Sequence, residues 1–213
     1  MSNTHMNLFL ASKIDQTIDL LIREYNMNPA NVPTAFIPTA QNCFTSPPPV
    51  EERRSYQCLV QRGFPIHIID IEKEQEASLL HKLLPIKLIV VGGGNTYYLL
   101  YHMKRSGLHR VLASLIPKGL IYAGSSAGSC VCSPDVTYIR HHDDPTAASA
   151  LSDFQGMGFV DFEIYPHCIE SQYEADYTGE FLTETLKSNT KKVFLRDHQA
   201  IVVKNDWCKL VSV

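Results

Sequence analysis

The sequence predicts an α/β fold in which helices cover a mostly parallel β-sheet. Apolar runs of strand length alternate five times with segments whose apolar residues recur at helical spacing, and the connections are short. This alternation is typical of parallel strands joined by helices. Glycine motifs follow the fourth and fifth apolar runs. Because ligands of such sheets bind at the carboxyl ends of the strands, both motifs fall where a functional site is expected.

The predicted elements follow one another regularly up to residue 132. The predicted strands are Asn7–Ala11, Thr34–Pro38, Ile66–Ile71, Lys87–Val91 and Leu120–Ala123. The predicted helices between them are Lys13–Asn26, Glu51–Arg62, Glu72–Leu84, Thr96–Arg105 and Leu108–Ile116. Beyond a polar segment, 133–153, we expect a strand over Phe159–Tyr165 and a helix over 170–188. Three closing strands follow, and a hairpin turn at Asn205-Asp206 joins the last two: Lys192–Leu195, Ala200–Lys204 and Cys208–Val213.

Length, charge and cysteine content restrict the class of protein. The 213 residues suit one domain, 1–213, and the formal net charge is −3, without a basic stripe that would favour nucleic acid. We expect no membrane-spanning segment, since the apolar runs are strand-sized, and no secretory signal in the polar segment Met1–Asn7. The six scattered cysteines suggest reduced thiols in a cytoplasmic protein. The sequence does not indicate whether the chain is a monomer or a homodimer.

A G-x-S-x-G motif, residues 124–128, follows the fifth strand. A serine on a tight turn from strand to helix needs a strained backbone, so the residues two away from Ser126 must be small. The N–H group of Ala127, at the start of the next helix, could then stabilise an oxyanion. The alternative is a chance occurrence in a turn that contains glycine and serine.

Gly92, Gly93 and Gly94 follow the fourth strand, where the N–H group of Gly94 could supply a second oxyanion donor. A phosphate loop is not favoured, because neither G-K-[ST] nor G-x-G-x-x-G follows the strand. Asn95 is equally a candidate for binding a polar group of the substrate and for capping the helix that begins at Thr96. Cys130 and Cys132 form C-x-C without a second pair, so we expect no metal, and no cofactor either.

A serine nucleophile needs a base within hydrogen-bond reach and a carboxylate that orients the base. His167 follows Pro166 at a predicted strand end, which favours it as the base. Spacing leaves His142 and His198 as alternatives.

GGGNTYYLL at 92–100 and GLIYAGSSAG at 119–128 together resemble peptidase family S51, the group of peptidase E (aspartyl dipeptidase) and cyanophycinase. The resemblance extends from about residue 8 to about residue 204. It implies a serine-type peptidase that hydrolyses small peptides, with Ser126 as nucleophile. The family places its histidine in a Pro-His at a strand end, to which FEIYPH, ending at His167, is similar.

The resemblance also implies which carboxylate orients His167. FLRDHQAI, residues 194–201, is similar to the family segment L-P-E-G-x-x-I and puts Asp197 at the acidic position. Asp143 and Asp144 are the alternatives, since the family has an acidic residue after its Ile-Arg, here Ile139-Arg140.

Chain order bears on the fold. An α/β-hydrolase runs Ser, Asp, His, which would require Asp143 or Asp144 with His167 or His198. The five-fold alternation instead favours a flavodoxin-like three-layer sandwich, as in class I glutamine amidotransferases. Those enzymes use cysteine at the corresponding turn, so the serine at 126 disfavours amidotransfer.

Two departures from the family pattern concern specificity. Ser125 stands where the family has a larger Trp or Glu, and residues 168–186 contain no Lys or Arg where the family has a substrate-binding arginine. Arg140 or Arg196 is therefore the candidate substitute, and we do not expect a strict preference for N-terminal Asp. Two other functions remain open: hydrolysis of another small acyl substrate, and ligand binding without catalysis.

Overall fold

A seven-stranded sheet runs through the protein in a computed structural model that describes residues 6–168, 181, 183, 185 and 189–213. The strands of the whole structure, in chain order, are β1 (Asn7–Ala11), β2 (Thr34–Ile37), β3 (Ile66–Ile68), β4 (Leu88–Val91), β5 (Ile121–Ser125), β6 (Phe162–Tyr165), β7 (Lys191–Phe194), β8 (Gln199–Lys204) and β9 (Trp207–Ser212). The order in the large sheet is β3-β2-β4-β5-β1-β8-β9. Strands β1 to β5 are mutually parallel, whereas β8 is antiparallel to β1 and to β9. The predicted mostly parallel sheet is confirmed.

Helices cover both faces of this sheet. They are α1 (Ile14–Glu24), α2 (Arg54–Gln61), α3 (Glu76–Leu83), α4 (Thr96–Ser106), α5 (Leu108–Leu115) and the short α6 (Ala127–Cys130). Helices α1 and α2 pack on one face, and α3, α4 and α5 pack on the other. The result is the three-layer arrangement predicted for a flavodoxin-like sandwich.

The core lies in two layers because neighbouring residues of a strand point to opposite faces. In β1, Leu8 and Leu10 belong to one buried cluster, whereas Phe9 belongs to the other. All three side chains are fully buried. Burial on both faces explains why these strands are uninterrupted apolar runs in the sequence.

Several elements begin or end at other residues than predicted. Helices α2 and α3 start later, because Val50–Glu52 and Ile71–Lys73 form 3₁₀ turns. The third strand ends at Ile68, and the Asp70 carboxylate then accepts a hydrogen bond from the Glu72 N–H group, which begins the second of these turns.

The closing part of the chain divides between two sheets. Strand β7 pairs with β6 in a separate parallel pair, while β8 and β9 form the predicted hairpin, with Asn205 at a φ of 56° in its turn. Apart from Phe181, Thr183 and Thr185, the predicted helix 170–188 lies outside the described residues. Within the described ranges, no helix is both long and apolar enough to cross a membrane.

The strand register brings three chain segments to one edge of the sheet. Ala11 at the end of β1 lies opposite Ser125, and Val91 at the end of β4 lies opposite Gly124. The residues that follow these strands therefore meet at the carboxyl edge, where the sequence places a functional site.

Candidate active site

Ser126 occupies a sharp turn between β5 and α6. Its φ of 50° and ψ of −112° lie outside the ordinary regions for a residue with a side chain, and its N–H group donates to the Ala11 carbonyl at 3.0 Å. A Cβ atom at Gly124 would come within 2.5 Å of the Gly128 backbone, and one at Gly128 within 2.3 Å of the Val91 carbonyl oxygen. The turn thus depends on both glycines of the G-x-S-x-G motif.

Ser126, His167 and Asp197 form a row of hydrogen-bonded side chains. The Ser126 Oγ lies 2.9 Å from the His167 Nε2, and the His167 Nδ1 lies 2.6 Å from the Asp197 Oδ1. The side chains of His167 and Asp197 are both more than nine-tenths buried. The structure therefore brings together the serine, histidine and acid that the resemblance selected.

Ser12, which the sequence analysis did not single out, forms hydrogen bonds with both His167 and Asp197. Its hydroxyl accepts from the backbone N–H group of His167 at 2.9 Å and donates to the Asp197 Oδ1 at 3.1 Å. His167 itself has a left-handed φ of 62°, and this hydrogen bond helps to fix it there. No motif marks Ser12 in the sequence, since its place at the site follows from the pairing of β1 with β5.

Lys13 forms an ion pair with the Asp197 Oδ2, on the side away from the histidine. Burial pushes the pKa of Asp197 upward, but the hydrogen bonds from Lys13 and His167 outweigh burial and hold that pKa below its ordinary value. Asp197 is thus kept ionised, as a group that orients a neutral histidine must be.

The glycine segment after β4 lies against the serine. A Cβ atom at Gly93 would be 3.1 Å from the Ser126 Cβ, and one at Gly94, where φ is 143°, would be 2.2 Å from the Ala40 carbonyl oxygen. Only glycine therefore fits this backbone next to Ser126. Ala127 is the first residue of α6, and the first N–H group of a helix has no carbonyl partner within that helix.

Asn95 caps α4. Its Oδ1 accepts from the Tyr98 N–H group at 2.9 Å, and its Nδ2 donates to the Asp144 carbonyl at 2.9 Å. Asp143 accepts from the Thr96 N–H group at 2.8 Å, and Asp144 accepts from Thr146. The two alternative acids therefore hold α4 and their own turn, while Asp197 holds the histidine.

A cavity of about 770 Å³ opens over Ser126 and His167. Its wall includes Asn95, His142, Asp143 and Asp144, together with Arg53 and Arg54 from the start of α2. His142 packs its ring against Phe181, with ring centroids 6.0 Å apart. The described lining does not include the remaining candidates, His198, Arg140 and Arg196. The arginines Arg53 and Arg54 were missed in the sequence, because the rest of α2, then β3, α3 and β4, separate them along the chain from the first glycine motif.

Ser125 belongs to the cavity lining, but its hydroxyl is already engaged by the backbone. The residue is buried, and its hydroxyl accepts from the Ile14 N–H group at 3.1 Å, at the first turn of α1. Among the described residues, no group of His, Cys, Asp and Glu side chains has the arrangement of a metal site.

The chain is similar to known peptidases over nearly its whole length. A model of peptidase family S51 matches residues 8–211. An uncharacterized peptidase of Pasteurella multocida is 30% identical over 204 residues, 93% of this chain and 94% of that protein. Peptidase E of Streptomyces coelicolor is 28% identical over 183 residues, 85% of this chain and 72% of that protein.

A solved structure agrees with these sequence matches. It is the 1.5 Å crystal structure of a Listeria monocytogenes protein provisionally assigned as peptidase E. Its TM-score with this chain is 0.88 at 28% identity, and the superposition covers 98% of this chain and 99% of that one.

Proposed function

Because the chain belongs to peptidase family S51, we propose that it is a serine-type dipeptidase that acts through Ser126, His167 and Asp197. The observation that carries this proposal is the hydrogen-bonded row from the Ser126 Oγ through both ring nitrogens of His167 to Asp197. A serine hydroxyl becomes a nucleophile when a neutral imidazole can take its proton and a carboxylate holds that imidazole in place.

In the proposed mechanism, the Ser126 Oγ attacks the carbonyl carbon of the peptide bond while the His167 Nε2 takes the hydroxyl proton. The oxyanion of the tetrahedral intermediate is stabilised by the N–H groups of Gly94 and Ala127, each worth about 3 kcal/mol. His167 returns the proton to the leaving amine, and an acyl-enzyme remains. The His167 Nε2 then takes a proton from a water molecule whose oxygen attacks the ester carbonyl carbon, and His167 returns that proton to the Ser126 Oγ as the carboxylic acid product leaves.

The test of the nucleophile is reaction with a fluorophosphonate, followed by intact mass. We expect one adduct on the wild-type protein and none on Ser126→Ala or His167→Ala. Folded wild-type protein that forms no adduct would support the ligand-binding alternative. A panel of dipeptides beside p-nitrophenyl esters then distinguishes a peptidase from a hydrolase of other acyl substrates.

The acid is tested by a matched pair of variants. Asp197→Asn should slow the reaction on the order of 10³-fold to 10⁴-fold, because the imidazole loses the carboxylate that fixes its tautomer. Asp143→Asn should retain most of the rate, since its carboxylate binds the start of α4. If Asp143→Asn slows the reaction more than Asp197→Asn does, Asp143 is the carboxylate that orients His167.

We further propose that the substrates are small peptides and that the protein works in the cytoplasm. The absence of disulfides among its six cysteines supports a reducing compartment. Fractionation of cells that express the native protein tests this location.

A further inference from the structure

Two adjacent arginines, Arg53 and Arg54, line the same cavity as Ser126 and His167. They stand at the junction between the 3₁₀ turn Val50–Glu52 and helix α2. The row of Ser126, His167 and Asp197 uses neither of them, so a different role must explain two cations in the wall of the cavity.

Arg53 is buried, with 5% of its surface exposed, and it is held by neutral oxygens. Its Nη1 donates to the Pro38 carbonyl at 2.6 Å, its Nε to the Pro48 carbonyl at 3.1 Å, and its Nη2 to the Asn42 Oδ1 at 3.2 Å. These bonds fix the guanidinium and the surrounding loop rigidly.

The charge of Arg53 is not neutralised by a carboxylate. In the part of the chain that the structure describes, no acidic side chain forms an ion pair with it. Burial lowers the pKa of Arg53, against weaker opposing effects of Asp70 and Glu51. Burying a cation without a charged partner costs free energy, and an anion that enters the cavity would lower this desolvation penalty.

Arg54 adds a second positive charge to the cavity wall. It is exposed, it is the first residue of α2, and the described residues provide no ion pair for it either. A guanidinium presents a planar pair of donors that matches a carboxylate, and the N–H groups at a helix start add positive potential.

We propose that Arg53 and Arg54 form a subsite that binds a carboxylate of the peptide substrate. This inference rests on the proposed function, because it takes the ligand of the cavity to be a short peptide. A dipeptide offers such a group at its C-terminus and, when it contains Asp or Glu, in a side chain. The subsite would provide the cation that the sequence analysis sought at Arg140 or Arg196.

The other charged residues of the cavity wall restrict where an anion can bind. Four acidic side chains also line the wall, and a carboxylate close to them would be repelled: Asp15, Glu52, Asp143 and Asp144. Lys13 also reaches the cavity but is paired with Asp197. The two arginines are therefore the part of the wall best suited to an anion.

The experiment measures binding to protein carrying Ser126→Ala, so that it does not depend on turnover. Calorimetric titrations would compare Ala-Ala with its C-terminal amide, and Asp-Ala amide with Asn-Ala amide. Each ligand is titrated into the Ser126→Ala protein, into the same protein with Arg54→Met, and into a control with Arg62→Met. Arg62 is paired with Asp19 and does not line the cavity.

We expect Arg54→Met to weaken binding of at least one carboxylate ligand by about tenfold. Arg62→Met and the ligands without a carboxylate should show no change. A loss confined to Ala-Ala identifies the terminal carboxylate, and a loss confined to Asp-Ala amide identifies the side chain. Arg53→Lys, which retains charge but not the three hydrogen bonds, should weaken the same ligand.

Two results would overturn the subsite. One is equal affinity of the Arg54→Met and Arg54-containing proteins for both carboxylate ligands. The other is no measurable binding of either carboxylate ligand to the Ser126→Ala protein at millimolar concentrations. Failure of the serine mechanism would instead appear in the fluorophosphonate reaction, which does not involve these titrations.

Discussion

The backbone of Ser126 is the most constrained point of the site. Its φ of 50° is unfavourable for a residue with a side chain, and it persists because the surrounding backbone leaves no alternative. Gly128 is part of that surrounding structure, since it lets α6 approach the end of β4.

We predict that Gly128→Ala destabilises the protein by about 3 kcal/mol, because the new Cβ would overlap the Val91 carbonyl and force backbone to move. Urea unfolding measures the change. Gly63→Ala is the matched control: its φ is 77° and nothing lies within 4 Å of the new Cβ. It should cost about 1 kcal/mol, from the left-handed conformation alone. Equal losses would mean that close approach is not what requires glycine at 128.

Asp197 should make stability depend on pH in a defined direction. Its pKa is lowered in the folded protein, so it binds protons less readily there than in the unfolded chain. The contribution is therefore complete above the unfolded-state pKa of about 3.9 and is lost as pH falls through the lower folded-state pKa. We predict that Asp197→Asn loses less stability than wild type between about pH 6 and about pH 3. Parallel losses in urea unfolding would contradict this.

Individual residues were predictable from the sequence only where a motif marks them. The G-x-S-x-G motif marks Ser126, the Pro-His at a predicted strand end favours His167, and the resemblance supplied Asp197. Ser12 and Arg53 have no such pattern, because the chain segments that bring them to the site are distant in sequence. Their positions follow from strand register and loop conformation, which short-range spacing does not encode.

At the scale of elements, the buried strands were the most predictable part of the fold. Strands β1, β2, β4 and β5 are buried on both faces apart from the first residue of β1 and of β5, and apolar runs mark them within one or two residues. The starts of α2 and α3 were placed too early, since acidic residues that suit a helix start lie instead in 3₁₀ turns. The pairing of β7 with β6 rather than with the large sheet depends on tertiary contacts.

We predict that Asn95→Ala destabilises the protein by about 1 kcal/mol, because α4 loses its side-chain cap and the Asp144 carbonyl loses a donor. Unfolding in urea gives the value. Asn28→Ala is the control, since Asn28 precedes a 3₁₀ turn without a side-chain cap bond. Unchanged stability of the Asn95 variant would favour the alternative role, in which the amide binds a polar group of the substrate.

At the scale of the whole molecule, the six cysteines differ in how deeply the fold buries them. Cys208 is exposed, whereas Cys58, Cys130 and Cys132 are buried. Burial raises the pKa of Cys58 to about 12 and also raises the pKa of the Cys130 and Cys132 thiols. Thiolate formation and reagent access are therefore both suppressed at these three positions.

We predict that an aromatic disulfide reagent labels Cys208 rapidly in the native protein. The three buried thiols should react much more slowly, because burial limits both reagent access and thiolate formation. Peptide mapping of the labelled protein checks the order. Rapid labelling of Cys130 without loss of native circular dichroism would contradict it.

The row of hydrogen bonds at the site joins residues that are far apart along the chain. Ser12 and Asp197, which are 185 positions apart in the chain, share one of these hydrogen bonds. In the sheet, β1 lies between β5 and the late strand β8. A ribosome releases the chain from its N-terminus, so Ser126 emerges long before the acid proposed to orient its base. A partly synthesised chain that stops short of residue 197 therefore carries the proposed nucleophile without the complete site, and we expect no peptide cleavage until Asp197 has been added.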